Sequence, residues 1–331
     1  MAWRSIRMRR RDFLKAVGAI AGSGTMAISK AEVQVHRIGV LALDAPGPAP
    51  LLLEETLKRR GWTLGQNLKI EYRMYNGDTD LAHRYARELI ALRPDVLYAI
   101  TNTSMAALQL EGSTIPTVFA MVSDPVGRHY VDSFPRPGRN VTGFTPFVPS
   151  LGGKWVSILK EVAPDIQQVG LIYNPEPGNN AAAFRKSIDE AANVAGIVSV
   201  EAPSGDSSSI ERLIVSLKEK PNSGLIFLPD AFTWIQRGHL TTLIGQCGLP
   251  AIYPLRDFVE AGGLISYGID MKTIYVGAAT YIDQILRGAN PAELPVQVPT
   301  EFELIVNQQA AKHLGLRLPP TLLARADDVI E

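Results

Sequence analysis

The chain has 331 residues with 33 basic and 33 acidic side chains, so its formal net charge is zero. This length is sufficient for two domains of about 150 residues each. Cys247 is the single cysteine, which excludes an intrachain disulfide and a metal site built from paired thiols.

The chain begins with a pattern typical of an export signal. Residues 8–15 read Met-Arg-Arg-Arg-Asp-Phe-Leu-Lys and contain the core of a twin-arginine motif. The apolar run at 16–28 is too short to anchor the chain in a bilayer, and small residues suited to a signal peptidase follow it. We predict that residues 1–31 are a twin-arginine signal peptide, recognised by the Tat translocase and removed on export. Because Cys247 lies far from this segment, we expect a free periplasmic protein and not a lipoprotein.

Removal of the predicted signal changes the charge of the protein. It takes away seven basic residues and one acid, leaving 26 basic and 32 acidic residues and a net charge near −6. A mildly acidic surface argues against nucleic acid as a partner.

Strand-like runs alternate with amphipathic helical stretches along the rest of the chain. The predicted strands are 36–43, 68–75, 96–100, 117–122, 168–173, 197–202, 224–228, 250–253, 264–267 and 303–306. The clearest predicted helices are 80–92, 151–162, 180–195 and 273–287. This order predicts parallel sheets flanked by helices.

Four polar residues follow the strand 96–100 and open a helix: Thr101, Asn102, Thr103 and Ser104. Hydroxyls and backbone N–H groups at a helix start form an anion site, so a ligand carboxylate could bind there. The alternative is an ordinary N-cap, which accounts for one of these residues but not for four in succession.

A Ser123-Asp124-Pro125 corner ends the buried run 117–122. Ligands of open α/β sheets bind beyond the carboxyl ends of such strands, which makes Ser123 and Asp124 candidate ligand-binding residues. Asp124 could instead cap a helix opened by Pro125. The two interpretations are compatible.

The second half of the chain supplies further candidates near strand ends. They are Tyr173, Asn174, Asn179, Asn180, Asp230, Tyr253, Tyr267 and Asp270, with Phe232 and Trp234 close to Asp230. Asp124 or Asp230 could pair with a ligand ammonium in a dry cleft, and the aromatic residues could stack on a ring. Each aromatic residue, taken singly, is also a candidate for the core.

Motifs for catalysis and metal binding are absent from the sequence. The five histidines are scattered without an HExxH pair, and there is no Walker-type phosphate loop. We therefore predict no enzymatic activity, no cofactor and no metal.

Three blocks resemble one protein family. They are residues 115–144 (IPTVFAMVSDPVGRHYVDSFPRPGRNVTGF), 258–270 and 299–331. They resemble the substrate-binding proteins of ABC transporters of the tryptophan/tyrosine transport type, which are similar in fold to type I periplasmic binding proteins. The resemblance implies an α/β fold of two doubly wound parallel-sheet lobes joined by a three-strand hinge.

Extended, Pro-rich segments at 145–150 and 288–299 are candidate crossings between lobes, and the resemblance implies a third near 266–270. The predicted lobes are residues 36–145 plus 268–290 and residues 146–267 plus 291–331. A single continuous domain is the alternative, which the length of the chain disfavours.

The resemblance implies a periplasmic receptor that binds a small-molecule ligand and delivers it to the permease subunits of an ABC transporter. The family's naming implies an amino acid, in particular an aromatic one, and a similar small organic solute remains open. Two alternatives remain: a ligand-sensing periplasmic module of a signalling system, and an exported cofactor enzyme.

Overall fold

The computed structural model describes residues 34–43, 48–146, 148–175, 181–203 and 205–331. The predicted signal peptide and the candidates Asn179 and Asn180 lie outside the described residues.

The first sheet has five parallel strands in the order β2-β1-β3-β4-β5. Its strands are β1 (His36–Ala42), β2 (Leu68–Met74), β3 (Val96–Ile100), β4 (Thr117–Ala120) and β5 (Val141–Phe144). All residues of β3 and β4 are buried, as expected for central strands covered on both faces.

The second sheet has seven strands in the order β12-β11-β10-β9-β8-β6-β7, and within it only β10 and β11 pair antiparallel. The strands are β6 (Gln168–Tyr173), β7 (Val198–Pro203), β8 (Ser223–Phe227), β9 (Ala251–Tyr253), β10 (Ile265–Ile269), β11 (Phe302–Asn307) and β12 (Asp328–Ile330). The predicted α/β class with two parallel-strand-rich sheets is confirmed. Each of the ten predicted strands overlaps a strand of the structure, and β5 and β12 are additional.

Helices cover both faces of both sheets in the described part of the chain. They are α1 (Pro48–Arg59), α2 (Thr79–Ala91), α3 (Asn102–Leu110), α4 (Leu151–Val162), α5 (Ala181–Ala195), α6 (Ser207–Lys218), α7 (Ala231–Ile235), α8 (Arg237–Cys247), α9 (Arg256–Glu260), α10 (Met271–Leu286), α11 (Gln308–His313) and α12 (Pro320–Leu323). A hydrophobic cluster lies on each face of each sheet, which gives four clusters in all.

The chain passes three times between the two sheets. It leaves the first sheet after β5, returns after β10 to begin α10, and leaves again before β11. Helix α10 belongs with the first sheet, because it packs against α1, β4 and β5. The third passage stays with the first sheet up to Gln297, whose N–H donates to the carbonyl of Gly143 over 2.9 Å.

Gly268 in β10 allows a close approach of two chain segments beside one of these passages. A Cβ at this position would overlap the backbone carbonyl oxygen of Pro254. We expect Gly268→Ala to lower the free energy of unfolding by at least about 2 kcal/mol, because backbone atoms cannot yield as a side chain does. Urea unfolding measures the effect. The control is Gly245→Ala in α8, where a Cβ meets open space; an unchanged midpoint for Gly268→Ala would contradict the packing described.

Candidate functional site

A cavity of about 340 Å³ lies where the carboxyl ends of strands from both sheets face each other. The first sheet contributes segments after β1, β2, β3 and β4, and the second contributes segments after β6, β8 and β9. Helix α10 adds Met271 and Tyr275. The position follows the general rule for ligand sites in open α/β sheets.

Thr101, the N-cap of α3, forms part of the first wall in an unusual backbone conformation. Its φ of 99° and ψ of 164° lie in a region that β-branched residues rarely adopt. Its hydroxyl lies 2.8 Å from the hydroxyl of Tyr75, which also lines the cavity. Asn102 and Thr103 follow in the first turn, where backbone N–H groups have no acceptor within the helix. The first wall therefore offers hydrogen-bond donors to a ligand.

Arg128 brings a positive charge to the same wall. Its Nε donates to the carbonyl of Ser123 over 3.1 Å. The side chain of Asn102 in turn holds Ser123 by two hydrogen bonds, of 3.0 and 3.2 Å. The start of α3 and the turn after β4 are thus joined at the cavity.

Asp230 brings a carboxylate to the opposite wall. It caps α7, with Oδ1 accepting from the N–H of Thr233 over 2.7 Å and Oδ2 accepting from the N–H of Asn174 over 3.4 Å. Burial raises the pKa of Asp230 to about 6, and the hydrogen bonds from Thr233 oppose this rise. A second acid, Asp257 in α9, also lines the cavity.

Aromatic side chains form much of the remaining surface. Tyr173, Phe232 and Trp234 line it from the second sheet, and Tyr75 and Tyr275 line it from the other side. These rings give the cavity a largely apolar lining, in which a small number of charged and polar groups are placed. This combination is typical of small-molecule sites.

The structure brings seven of the predicted site residues together around this cavity: Thr101, Asn102, Thr103, Ser123, Tyr173, Asn174 and Asp230. All of them lie at or directly beyond the carboxyl ends of strands β3, β4, β6 and β8. Their roles toward a ligand stay predictions.

Three predicted polar residues do not line the cavity. Ser104 is fully buried, and its hydroxyl donates to the carbonyl four residues earlier over 2.7 Å. Asp124 accepts from the N–H of Gly127 over 3.0 Å and so caps a turn; no helix of the described chain begins at Pro125, so the capping alternative is wrong in its helix. Asp270 caps α10 by accepting from the N–H of Lys272 over 2.9 Å.

Two predicted aromatic residues also lie away from the cavity. Tyr253 is buried in a core cluster, where its ring stacks on Phe258 at 4.9 Å. Tyr267 packs against the cluster on the other face of the sheet, and its carbonyl accepts from the indole of Trp155. Side chains of successive strand residues point to opposite faces, so position near a strand end does not decide which face an aromatic ring joins.

Among the cavity residues that the sequence had not suggested are Tyr75, Arg128, Asp257 and Tyr275. Tyr75 directly follows β2, so the strand-end rule could have found it. Arg128 and Asp257 lie in a turn and a short helix, whose direction the sequence pattern does not reveal. Tyr275 lies inside a helix that returns from the other sheet.

Among the residues that the structure describes, no group of histidine, cysteine and acidic side chains is arranged to hold a metal ion. Within the same ranges, no helix combines the length and apolar character needed to cross a membrane.

A two-sheet fold with a cavity at facing strand ends is the arrangement of a solute-binding protein. The family model described as ABC transporter substrate binding protein matches residues 52–330. The chain belongs to this family.

Several known proteins are similar to this chain. The tyrosine-binding protein of Clostridioides difficile (strain R20291) is 25% identical over 264 residues, which cover 80% of this chain and 75% of that protein. A crystal structure of a conserved domain protein from Vibrio cholerae has a TM-score of 0.81 at 30% identity and covers 89% of this chain and 100% of its own. The ABC domain in complex with L-Trp from Streptococcus pneumoniae has a TM-score of 0.82 at 24% identity, covering 90% and 100%, and shares the fold.

Proposed function

We propose that this substrate-binding protein captures an aromatic amino acid in the periplasm and delivers it to the permease of an ABC transporter, without catalysing a reaction on it. The observation that carries the proposal is the cavity itself, which combines a guanidinium, two carboxylates and aromatic walls between the two sheets. The family result favours transport over the signalling and cofactor-enzyme alternatives.

The charges of the cavity suit a zwitterion. Arg128 and the first turn of α3 lie on one wall, and Asp230 lies on the other. A ligand with a carboxylate and an ammonium could therefore contact both walls at once, with charge-assisted hydrogen bonds strengthened by the largely apolar surroundings. Asp230 takes the role of ammonium partner in preference to Asp124, whose carboxylate caps a turn outside the cavity.

The aromatic walls and the volume suit a ring. Tyr75, Tyr173, Phe232, Trp234 and Tyr275 can stack against a phenol or an indole. The names of the relatives support this assignment, since one is a tyrosine-binding protein and one structure is a complex with L-Trp.

We propose that each sheet with its helices forms a lobe and that the three passages form the hinge. The predicted bounds change at two passages. The first lobe resumes after Ile269, because β10 pairs with β11 of the second sheet up to that residue, and it extends to Gln297, because this residue bonds to Gly143 of β5. Ligand contacts from both walls then favour the closed arrangement, which the permease can distinguish from the open one.

A thermal-shift screen of the twenty amino acids tests the proposed function, using protein that lacks residues 1–31. Tryptophan or tyrosine should raise the melting temperature, because a ligand that binds only the folded state stabilises it by mass action. Lysine and glutamate serve as controls, since each carries a charge where the proposed ligand carries a ring. Absence of a shift with every aromatic amino acid would contradict the proposal.

Export by the twin-arginine route is part of the proposal and has its own test. Replacing Arg10 and Arg11 by Lys keeps the charge but removes the paired arginines of the motif. The precursor should then stay in the cytoplasm, as fractionation and blotting would show. The control replaces Arg4 and Arg7, which lie outside the motif, by Lys. Normal export of the Arg10/Arg11 variant would indicate the general secretory route instead.

A further inference from the structure

We infer that Arg128 binds the carboxylate of the ligand and that Asn102 is a positioning residue that holds Arg128 at the cavity through Ser123. The inference deepens the proposed function and rests on it. It assigns the carboxylate to a side chain that the sequence pattern did not suggest and gives Asn102 a role other than direct contact.

Asn102 and Ser123 form a clamp of two hydrogen bonds. The Oδ1 of Asn102 accepts from the N–H of Ser123 over 3.0 Å, and its Nδ2 donates to the hydroxyl of Ser123 over 3.2 Å. Both groups of the amide are thus engaged with one residue on a neighbouring segment. The clamp fixes the turn after β4 relative to the first turn of α3.

The turn that carries Arg128 is held by hydrogen bonds within residues 123–128. The carbonyl of Ser123 accepts from Nε of Arg128, and the carbonyl of Asp124 accepts from its N–H over 3.1 Å. Asp124 itself has a φ of 47°, and its carboxylate accepts from the N–H of Gly127. The turn is tight, because a Cβ at Gly127 would overlap that carboxylate. The direction of the guanidinium is therefore set by residues 123–128 as a unit.

The charge of Arg128 distinguishes it from other arginines beside the first sheet. In the part of the chain that the structure describes, no carboxylate lies within ion-pair distance of Arg128, whereas Arg73 pairs with Glu88 and Arg139 pairs with Asp132. The Nε of Arg128 bonds the carbonyl of Ser123, and its side chain also bonds the hydroxyl of Tyr130. A guanidinium has five N–H donors, so N–H groups remain for a ligand carboxylate. A planar guanidinium matches a carboxylate with two parallel hydrogen bonds, which a lysine would not provide.

The experiment measures by calorimetry the affinity of four variants for L-tryptophan and for tryptamine, which lacks the carboxylate. Arg128→Ala should weaken the binding of L-tryptophan by about 10- to 150-fold and the binding of tryptamine by less than about threefold. Only L-tryptophan carries the carboxylate that Arg128 binds. The matched control is Arg139→Ala, which removes a guanidinium from the same β4–β5 connection outside the cavity and should change neither affinity.

Asn102→Ala and the double variant Asn102→Ala/Arg128→Ala complete a double-mutant cycle. Asn102→Ala alone should weaken the binding of L-tryptophan by roughly tenfold. In the Arg128→Ala background, Asn102→Ala should weaken it by less than about twofold. Such coupling is not expected of a residue that acts only on stability.

The outcomes separate the claims. Equal losses for L-tryptophan and tryptamine in Arg128→Ala would overturn the assignment of the carboxylate while leaving the proposed function in place. Additive effects of the two replacements would overturn the positioning role of Asn102 alone. Binding of neither compound by the unaltered protein would overturn both the proposed function and this inference.

Discussion

Replacing Asp230 by Asn should weaken the binding of L-tryptophan by about 10- to 150-fold, which corresponds to one hydrogen bond to a charged group, about 1.5–3 kcal/mol. The replacement keeps the shape of the side chain and its ability to cap α7, because Asn is as good an N-cap as Asp. It removes the negative charge that we propose pairs with the ligand ammonium. Calorimetry of the variant with L-tryptophan and with indole-3-propionate, which lacks the ammonium, isolates this contribution.

The chain offers a matched control for this replacement. Asp206 caps α6 with nearly the same backbone conformation as Asp230 and also accepts from an N–H three residues later, Ser209. It is exposed and does not line the cavity. Asp206→Asn should leave both affinities unchanged. Equal weakening of L-tryptophan and indole-3-propionate by Asp230→Asn would place the ammonium elsewhere.

The pH dependence of binding follows from the same carboxylate. Burial raises its pKa from 3.8 to about 6, so Asp230 is ionised at pH 7 and mostly neutral at pH 5. Affinity for L-tryptophan should fall by about tenfold between these values and should not change over this range in Asp230→Asn. For stability without ligand the sign is opposite. A carboxyl with a raised pKa stabilises the folded state below about pH 4, and this contribution is lost as the pH rises through 6.

Replacing Trp234 by Ala should shift the protein toward an open arrangement. Trp234 lies in α7 beside the second sheet, yet it packs against the hydrophobic clusters of both sheets. The centroid of its ring also lies 4.3 Å from the guanidinium carbon of Arg237. Loss of this half-buried ring should cost the closed form about 1–3 kcal/mol, less than the 3–5 kcal/mol of a fully buried aromatic residue. The radius of gyration without ligand should increase, and the affinity for L-tryptophan should fall by about 5- to 150-fold.

The control for the hinge prediction is Phe232→Ala on the same helix. Phe232 lines the cavity, and among the described residues it packs against the cluster of the second sheet and not against those of the first. Phe232→Ala should weaken the binding of L-tryptophan without changing the radius of gyration. A radius of gyration for Trp234→Ala equal to that of the unaltered protein would show that this contact does not hold the lobes together.

The sequence predicted the fold class because buried apolar runs, such as those of β3 and β4, alternate with amphipathic helical stretches. The strands β5 and β12 escaped prediction for a physical reason. Strand β5 is interrupted by Gly143, and β12 begins with Asp328 and is only half-buried, so neither forms a continuous apolar run in the sequence. The bounds of the lobes were harder to predict from the sequence. Residues up to Gln297 stay with the first sheet because of hydrogen bonds between segments that are distant in the chain.

The sequence predicted the site in part. Polar residues directly after strands, such as Thr101 and Asp230, were found because parallel strands deliver their carboxyl ends to one edge. Asp124 was placed at the same edge, but a left-handed turn directs its carboxylate to Gly127. The same turn delivers Arg128 to the cavity, and no sequence period reports such a turn. Contacts across the cavity, including those of Trp234, depend on the packing of distant segments.

The most direct test of the central claim is a calorimetric comparison of L-tryptophan with tryptamine and indole-3-propionate on the unaltered protein. If the two walls bind the two charged ends, removal of either end should weaken binding by at least about tenfold relative to the amino acid. Equal affinities for all three compounds would contradict the claim, since the ring alone would then account for binding.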